Sequence, residues 1–219
     1  MRFYVLKYIA KPKGESGESC KSIYSLDHAC KACGTGAKLI GSLLTKGLTK
    51  IKSAFFATLD GDLLISEGFY EFLISKGIRI IHLRKVLDIK KNPLPFYHLS
   101  TELFFPKSLP SSEGLVIDRQ CQVCKRNGYF TDAKIGDYKK GIPTVITPLV
   151  LKYKGISHEF LNSSDLFNTW EHLGLSNLNA EGMKVIRYAR PMLLVSENLK
   201  NAFEEYGIKD VLFEETIIQ

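Results

Sequence analysis

Cys30-Lys31-Ala32-Cys33-Gly34 sets the reading of this chain, because a second short pair, Cys121-Gln122-Val123-Cys124-Lys125, answers it far along the sequence. Two residues between thiols let both sulfurs of a tight turn face one centre. Two such turns supply the four thiolates of a tetrahedral zinc. Gly34 suits the first turn, since a metal knuckle often needs a residue tolerant of positive φ just after its second cysteine. The knuckles are far apart, with 87 residues between Cys33 and Cys121. Closing a loop of that length costs about 4 kcal/mol. A structural zinc contributes on the order of 10 kcal/mol or more, so the metal outweighs the loop entropy. Cys30, Cys33, Cys121 and Cys124 are therefore the expected ligands, and structural Zn2+ the expected cofactor.

Other uses of these thiols fit less well. A thioredoxin-type redox centre uses one pair at a helix start, and here there are two. An iron–sulfur cluster takes the same four thiolates, and spacing alone does not separate it from zinc. Disulfides would leave Cys20 over, and Met1-Arg2-Phe3-Tyr4-Val5-Leu6 has no hydrophobic signal core with a cleavage site behind it. The expectation is a cytoplasmic protein with reduced cysteines. Cys20 reads as an inert packed thiol, and His28, two residues before Cys30, as a solvent-facing loop residue.

At 219 residues and 45% apolar content the chain can bury a proper core without the metal supplying everything. No apolar run approaches the ~18 residues of a membrane helix. The formal charge is +7, with Lys38, Lys46, Lys50 and Lys52 concentrated after the first knuckle. Basic zinc ribbons often bind nucleic acid. These lysines are scattered among apolar residues, however, with no interleaved aromatics to stack on bases. They read as a solvated face, and nucleic-acid binding stands as the alternative function.

A second feature comes from aligning the chain with itself. Leu63-Leu64-Ile65-Ser66-Glu67 recurs as Leu193-Leu194-Val195-Ser196-Glu197, and without a gap Gly77-Ile78 falls on Gly207-Ile208. Six of 21 aligned positions are identical. In each copy an apolar strand ends at a serine able to cap a helix, with a glutamate in the first turn where the helix dipole favours it. Phe69, Phe72 and Leu73, and correspondingly Leu199, Ala202 and Phe203, recur at i, i+3 and i+4 and mark one buried face. Gly77 and Gly207 then close each helix, and an apolar strand resumes.

The remaining segments fill in a mixed α+β protein. Strands are expected at 2–9, 53–59, 79–86 and 96–104, with Asn92-Pro93-Leu94-Pro95 as the turn between the last two. Residues 143–152 read as an edge strand, given Pro143 and Pro148. Ser164 to Leu173 reads as a short helix stopped by Gly174, and Asn179 to about Tyr188 as another. The expected fold is thus α+β, with two similar strand–helix–strand units and a split four-cysteine zinc ribbon joining distant segments. Its expected division is a zinc-knuckle lobe at 1–135 and an α/β lobe at 136–219, or one continuous domain.

No catalytic motif is readable. His28, His82, His98, His158 and His172 form no HExxH pair, and no GxSxG elbow, phosphate-binding loop or dinucleotide fingerprint occurs. Asp60-Gly61-Asp62 reads as a hairpin turn.

The order of these features resembles the double-CXXCG-motif proteins, whose described members are immunity proteins of bacterial polymorphic-toxin, or swarming-inhibition, systems. The likeness rests on an N-terminal strand, CxxCG at Cys30–Gly34, the Leu63–Glu67 unit, a second CxxC with Arg126 and Gly128 nearby, and the closing run from Pro191 to Glu214. One departure is Lys125, where the motif has glycine. The resemblance implies a non-enzymatic protein that binds and neutralises one cognate protein toxin, with the four cysteines as metal ligands. A +7 chain would then suit a toxin with an acidic contact face.

Overall fold

The protein is described from a computed structural model covering residues 1–80, 83–136, 144–178, 185–187 and 189–219. The first part of the chain is β1 (Phe3–Tyr8), β2 (Glu15–Ser16), a 3-10 turn at Gly17–Cys20, β3 (Ile23–Ser25), β4 (Lys38–Ile40) and β5 (Leu44–Lys46). Then come β6 (Phe55–Ala57), β7 (Leu63–Ser66), helix α1 (Glu67–Ser75), β8 (Arg84–Asp88) and β9 (Pro93–His98). The middle holds β10 (Leu115–Ile117), β11 (Tyr129–Thr131), β12 (Ala133–Lys134), β13 (Val145–Ile146), β14 (Lys152–Tyr153) and α2 (His158–Asn162). The chain closes through β15 (Leu166–Leu173), β16 (Ser176–Leu178), β17 (Val185–Arg187), β18 (Arg190–Ser196), α3 (Glu197–Glu205), β19 (Val211–Glu215) and β20 (Ile217–Ile218). The class is mixed and strand-rich, with few helices.

Two six-stranded sheets carry the fold. One runs β10-β11-β15-β18-β1-β19, so it draws strands from both sides of residue 135. Both faces of its centre are covered, which is why β1 and β18 read as unbroken apolar runs. Phe3, Val5, Met192 and Leu194 point into one cluster with Phe105, Tyr153 and Phe167. Tyr4, Leu6, Leu193 and Val195 point into another, beneath α1 and α3.

The second sheet runs β2-β5-β8-β9-β7-β6. Its edges return to one another: Lys13 N–H donates to Ala57 O at 2.8 Å and Leu59 N–H to Gly14 O at 2.9 Å. The sheet thereby closes into a small barrel around Leu43, Leu48, Phe56, Leu64, Val86, Leu94 and Phe96.

The two longer helices pack on each other between these bodies. Phe69 of α1 meets Phe203 of α3 edge-to-face at 4.9 Å, and Tyr206 packs on both Phe69 and Phe72. Ser66 Oγ accepts Phe69 N–H, and Ser196 Oγ accepts Leu199 N–H, each at 3.2 Å. Beside α1, β9 lies between the parallel pair β7 and β8. Beside α3, β1 lies between β18 and β19.

Several expectations are corrected. Ser164–Leu173 is no helix; Leu166–Leu173 is the eight-residue strand β15. Its alternation sends Leu166 into the helix-covered core and Phe167 into the opposite one, so burial on both faces hid the two-residue period. Ser164 bonds Arg79 O and Leu166 N instead of capping a helix.

The proposed turn at Asn92–Pro95 moves back toward Asp88, whose carboxylate accepts the Lys90 and Asn92 N–H groups. Pro93 and Pro95 lie within the interior strand β9, where the register with β8 shifts between Lys85 and Leu87. Of the helix expected at Asn179–Tyr188, residues 179–184 and 188 lie outside the described residues, and Val185–Arg187 is strand. Strand β8 starts at Arg84, with Ile81 and His82 outside the described residues. Of 143–152, Pro143 lies outside them too, and in place of one strand the rest holds only the short β13, an isolated bridge at Val150 and the start of β14.

Candidate metal centre

The second knuckle is anchored to the six-stranded open sheet. Arg126 O accepts His172 N–H from β15 at 2.7 Å, and Gly128 N–H donates to Gly174 O at 2.8 Å. The first knuckle belongs to the barrel side, at the end of the β3–β4 ribbon. Arg84 of β8 holds that ribbon by donating to the carbonyls of Leu39 and Gly41. The centre therefore forms where the two bodies meet, and each body brings two thiols.

The local turns match. Gly34 N–H donates to Cys30 O at 2.6 Å, and Lys125 N–H donates to Cys121 O at 3.0 Å. Gly34 has φ 78° and Lys125 has φ 57°, so the lysine adopts the left-handed conformation the motif reserves for glycine. Gln120 Nε2 holds it by donating to Lys125 O at 2.8 Å. Gly128 is required for a different reason: at φ 79° any Cβ would come within 2.6 Å of Asp118 O.

All four sulfurs lie within 4.8 Å of one another. Across the two knuckles, Cys33 and Cys124 are 3.7 Å apart and Cys30 and Cys121 3.9 Å. A disulfide needs about 2.05 Å. A tetrahedron with Zn–S bonds of about 2.3 Å has edges of about 3.8 Å, which is what these pairs show. The cluster is a four-thiol site with the dimensions a tetrahedral metal requires. It provides four ligands and so closes the shell, the pattern of a structural rather than a catalytic zinc.

Supporting groups surround it. Thr35 Oγ1 is 3.1 Å from Cys33 Sγ, and Thr35 O accepts Cys30 N–H at 2.9 Å. Buried Asn127 accepts Cys121 N–H at 2.9 Å. Burial pushes the Cys33 thiol up to about 12, against the help of Thr35, and raises Cys124 as well. Burial also works against the Cys121 thiolate, but the N–H groups of Cys124 and Val123 and the Cys33 and Cys124 thiols outweigh it and hold Cys121 at about 7. A bound divalent cation would displace the remaining protons.

Arg126 reaches from the second knuckle over the first, because Gly36 has no side chain there; a Cβ on Gly36 would sit 3.1 Å from its Nη1. Its guanidinium also lies 5.2 Å from the Phe104 ring. Burial lowers the Arg126 pKa, while the thiols of Cys124, Cys30 and Cys33 pull it the other way. That suits a cation beside four thiolates, which carry net −2 around a divalent ion.

The structure thus brings together Cys30, Cys33, Cys121 and Cys124, and leaves Cys20 and His28 outside the cluster, as their sequence reading expects. Cys20 is buried in the barrel-side 3-10 turn, and His28 is exposed. Thr35, Arg126 and Asn127 were not identified as parts of the centre from sequence, although each lies within three residues of a cysteine.

No protein-family model matches the chain, and no curated protein sequence matches it. Among the described residues, no helix is long and apolar enough to cross a membrane.

Proposed function

We propose that this is a zinc-stabilised immunity protein, which binds and neutralises one cognate protein toxin in the bacterial cytoplasm. The observation that carries the metal part is the four-sulfur cluster with edges of 3.7 and 3.9 Å, joining segments 91 residues apart. The toxin-binding part rests on the resemblance of the chain to double-CXXCG-motif proteins. It is supported by the φ of 57° at Lys125, which gives the second pair the turn of a CXXCG knuckle without the glycine.

On this reading the metal is architectural. It fixes the barrel against the open sheet as a split ribbon, so that a partner meets one preformed surface, and preorganisation lowers the entropy lost on binding. The two strand–helix–strand segments are a repeated unit within that frame. In both, a strand enters its helix through a serine cap, and the strands before and after the helix are parallel with one antiparallel strand between them.

The test is growth rescue. The product of the neighbouring gene is induced alone, then together with this chain, and a direct complex is sought by co-purification. Rescue through a stable complex is the expected result. A harmless neighbour, or toxicity left untouched, would remove the immunity reading while leaving the metal centre standing.

A further inference from the structure

The barrel gathers lysines that the sequence scatters. Strands β5 and β8 are parallel neighbours, with Leu44 opposite Leu87 and Thr45 opposite Asp88, so the segments following them leave from one mouth. Strand β2 is antiparallel to β5, with Glu15 opposite Lys46, so the segment preceding β2 arrives at that same mouth. Lys46 ends β5 and Lys50 and Lys52 follow it, Lys90 and Lys91 follow β8, and Lys11 precedes β2. All six are exposed, and none has an ion-pair partner among the described residues. Lys38, grouped with three of them by sequence, is elsewhere and pairs with Glu102 at 3.1 Å.

The three strands that form this mouth carry two acids, and Asp210 and Asp60 lie beside the segments next to β2. Asp88 spends its oxygens on the Lys90 and Asn92 amides and the Asn92 side chain, and Glu15 is the other carboxylate on the strands named. The segments 9–14, 46–52 and 88–92 contain no arginine and no aromatic residue. A protein interface is ordinarily anchored by aromatic or arginine side chains, and single-stranded nucleic acid by stacking platforms. Neither is present here. What remains, beside the exposed Ile9 and Ile89, is a set of exposed lysine cations, which is what contact with a phosphate backbone demands. Its width across β2, β5 and β8, two strand spacings or roughly 10 Å, faces about six phosphate charges of a duplex at ~1.7 Å each.

We propose that the lysine-ringed mouth of the barrel is a sequence-independent docking surface for the phosphate backbone of double-stranded nucleic acid. The surface is built on the barrel strands, and the inference goes beyond the toxin-binding reading and does not depend on it.

The experiment is fluorescence anisotropy with a labelled 20-base-pair mixed-sequence DNA duplex, titrated with the full chain between 50 and 200 mM salt. Expected is a Kd on the order of 10 μM or below at low salt, with the association constant falling as salt rises on a log–log slope of about −4 to −5 for five lysine–phosphate contacts. Changing Lys46, Lys50, Lys52, Lys90 and Lys91 together to Gln reduces affinity at least roughly 100-fold. A control carries the same loss of charge elsewhere, with the exposed Lys31, Lys107, Lys134, Lys154 and Lys209 changed to Gln, and keeps affinity within about threefold. Matching far-UV spectra and melting temperatures establish that both variants are folded. Equal losses in the two variants would mean bulk charge, and the site would be abandoned. The proposal also fails if the duplex does not bind at 50 mM salt, or if the single strand of the same sequence binds more tightly. Equal or tighter binding to polyglutamate, or to phosphatidylserine vesicles, would reassign the surface to an acidic protein or a membrane and overturn it as well.

Discussion

Arg190, the first residue of β18, reaches Asp62 in the turn before β7, and both of its terminal nitrogens contact the carboxylate, Nη2 at 3.3 Å. Asp62 is only 3% exposed and also accepts Ser16 Oγ at 2.6 Å, with His98 Nε2 3.5 Å away. The pair spans a cleft of about 1800 Å³ between barrel and open sheet, on whose rim the first knuckle also lies. It is the polar counterpart of the metal staple. Breaking a buried pair strands a charge, so Asp62→Ala is expected to cost about 3–5 kcal/mol. Arg190→Met strands the more deeply buried Asp62 carboxylate and is expected to cost a similar amount. In a urea-denaturation double-mutant cycle the two should couple by about 1–3 kcal/mol; additive losses would show that the contact does not join the bodies.

The metal makes the sharpest prediction. Purified protein should carry one zinc per chain, and Ser at Cys30, Cys33, Cys121 or Cys124 should abolish it. EDTA should then lower the denaturation midpoint of the natural chain to that of the serine variants, without shifting those variants further. The loss is several kcal/mol, because metal affinity is folding energy in such sites. Cys20→Ser, outside the cluster, should retain the metal. Equal midpoints with and without EDTA would deny the centre a structural role.

Lys125 and Gly34 hold equivalent positions at φ 57° and 78°. A left-handed residue with a Cβ costs about 1–2 kcal/mol relative to glycine. Lys125→Gly should therefore gain up to about 1 kcal/mol, and Gly34→Ala should lose about 1–2 kcal/mol, both read as shifts in the denaturant midpoint at saturating zinc. A destabilising Lys125→Gly would mean that the lysine side chain, which donates to Gln122 Oε1 at 2.5 Å, matters more than its backbone.

What the sequence reveals of this protein follows the range of the interactions. Ligand spacing, serine caps and helix-ending glycines act within four residues, so the four cysteines, Ser66, Ser196, Gly77 and Gly207 were legible. Closure of the barrel depends on hydrogen bonds from Lys13 to Ala57 and from Leu59 to Gly14, which no local pattern announces. The lysine-ringed mouth depends on that topology and was equally hidden. β15 was misread because Leu166 and Phe167 are both fully buried, each in its own core. A strand covered on both sides has no polar alternation to display. Arg126 could be noticed near Cys124, but its path over Gly36 exists only once the two knuckles meet.

His172 supplies the pH dependence. Its ring is buried on β15, stacked 6.2 Å from Phe104, and Nδ1–H donates to Trp170 O at 2.9 Å. Burial, helped by the Arg126 charge, depresses its pKa from 6.5 to about 3, despite the Trp170 carbonyl. The unfolded chain protonates this histidine below about pH 6.5, whereas the folded protein leaves it neutral until about pH 3. Between those values the unfolded state binds the extra proton, so stability falls as pH falls, by up to about 1.4 kcal/mol per pH unit from this group. Above pH 6.5 its contribution is constant. His172→Gln should flatten the slope of unfolding free energy between pH 5 and 6.5, measured by urea denaturation at fixed zinc. Thiolate protonation continues to act in that variant, so the difference between the two slopes isolates the histidine. An identical slope would place the acid sensitivity on other groups.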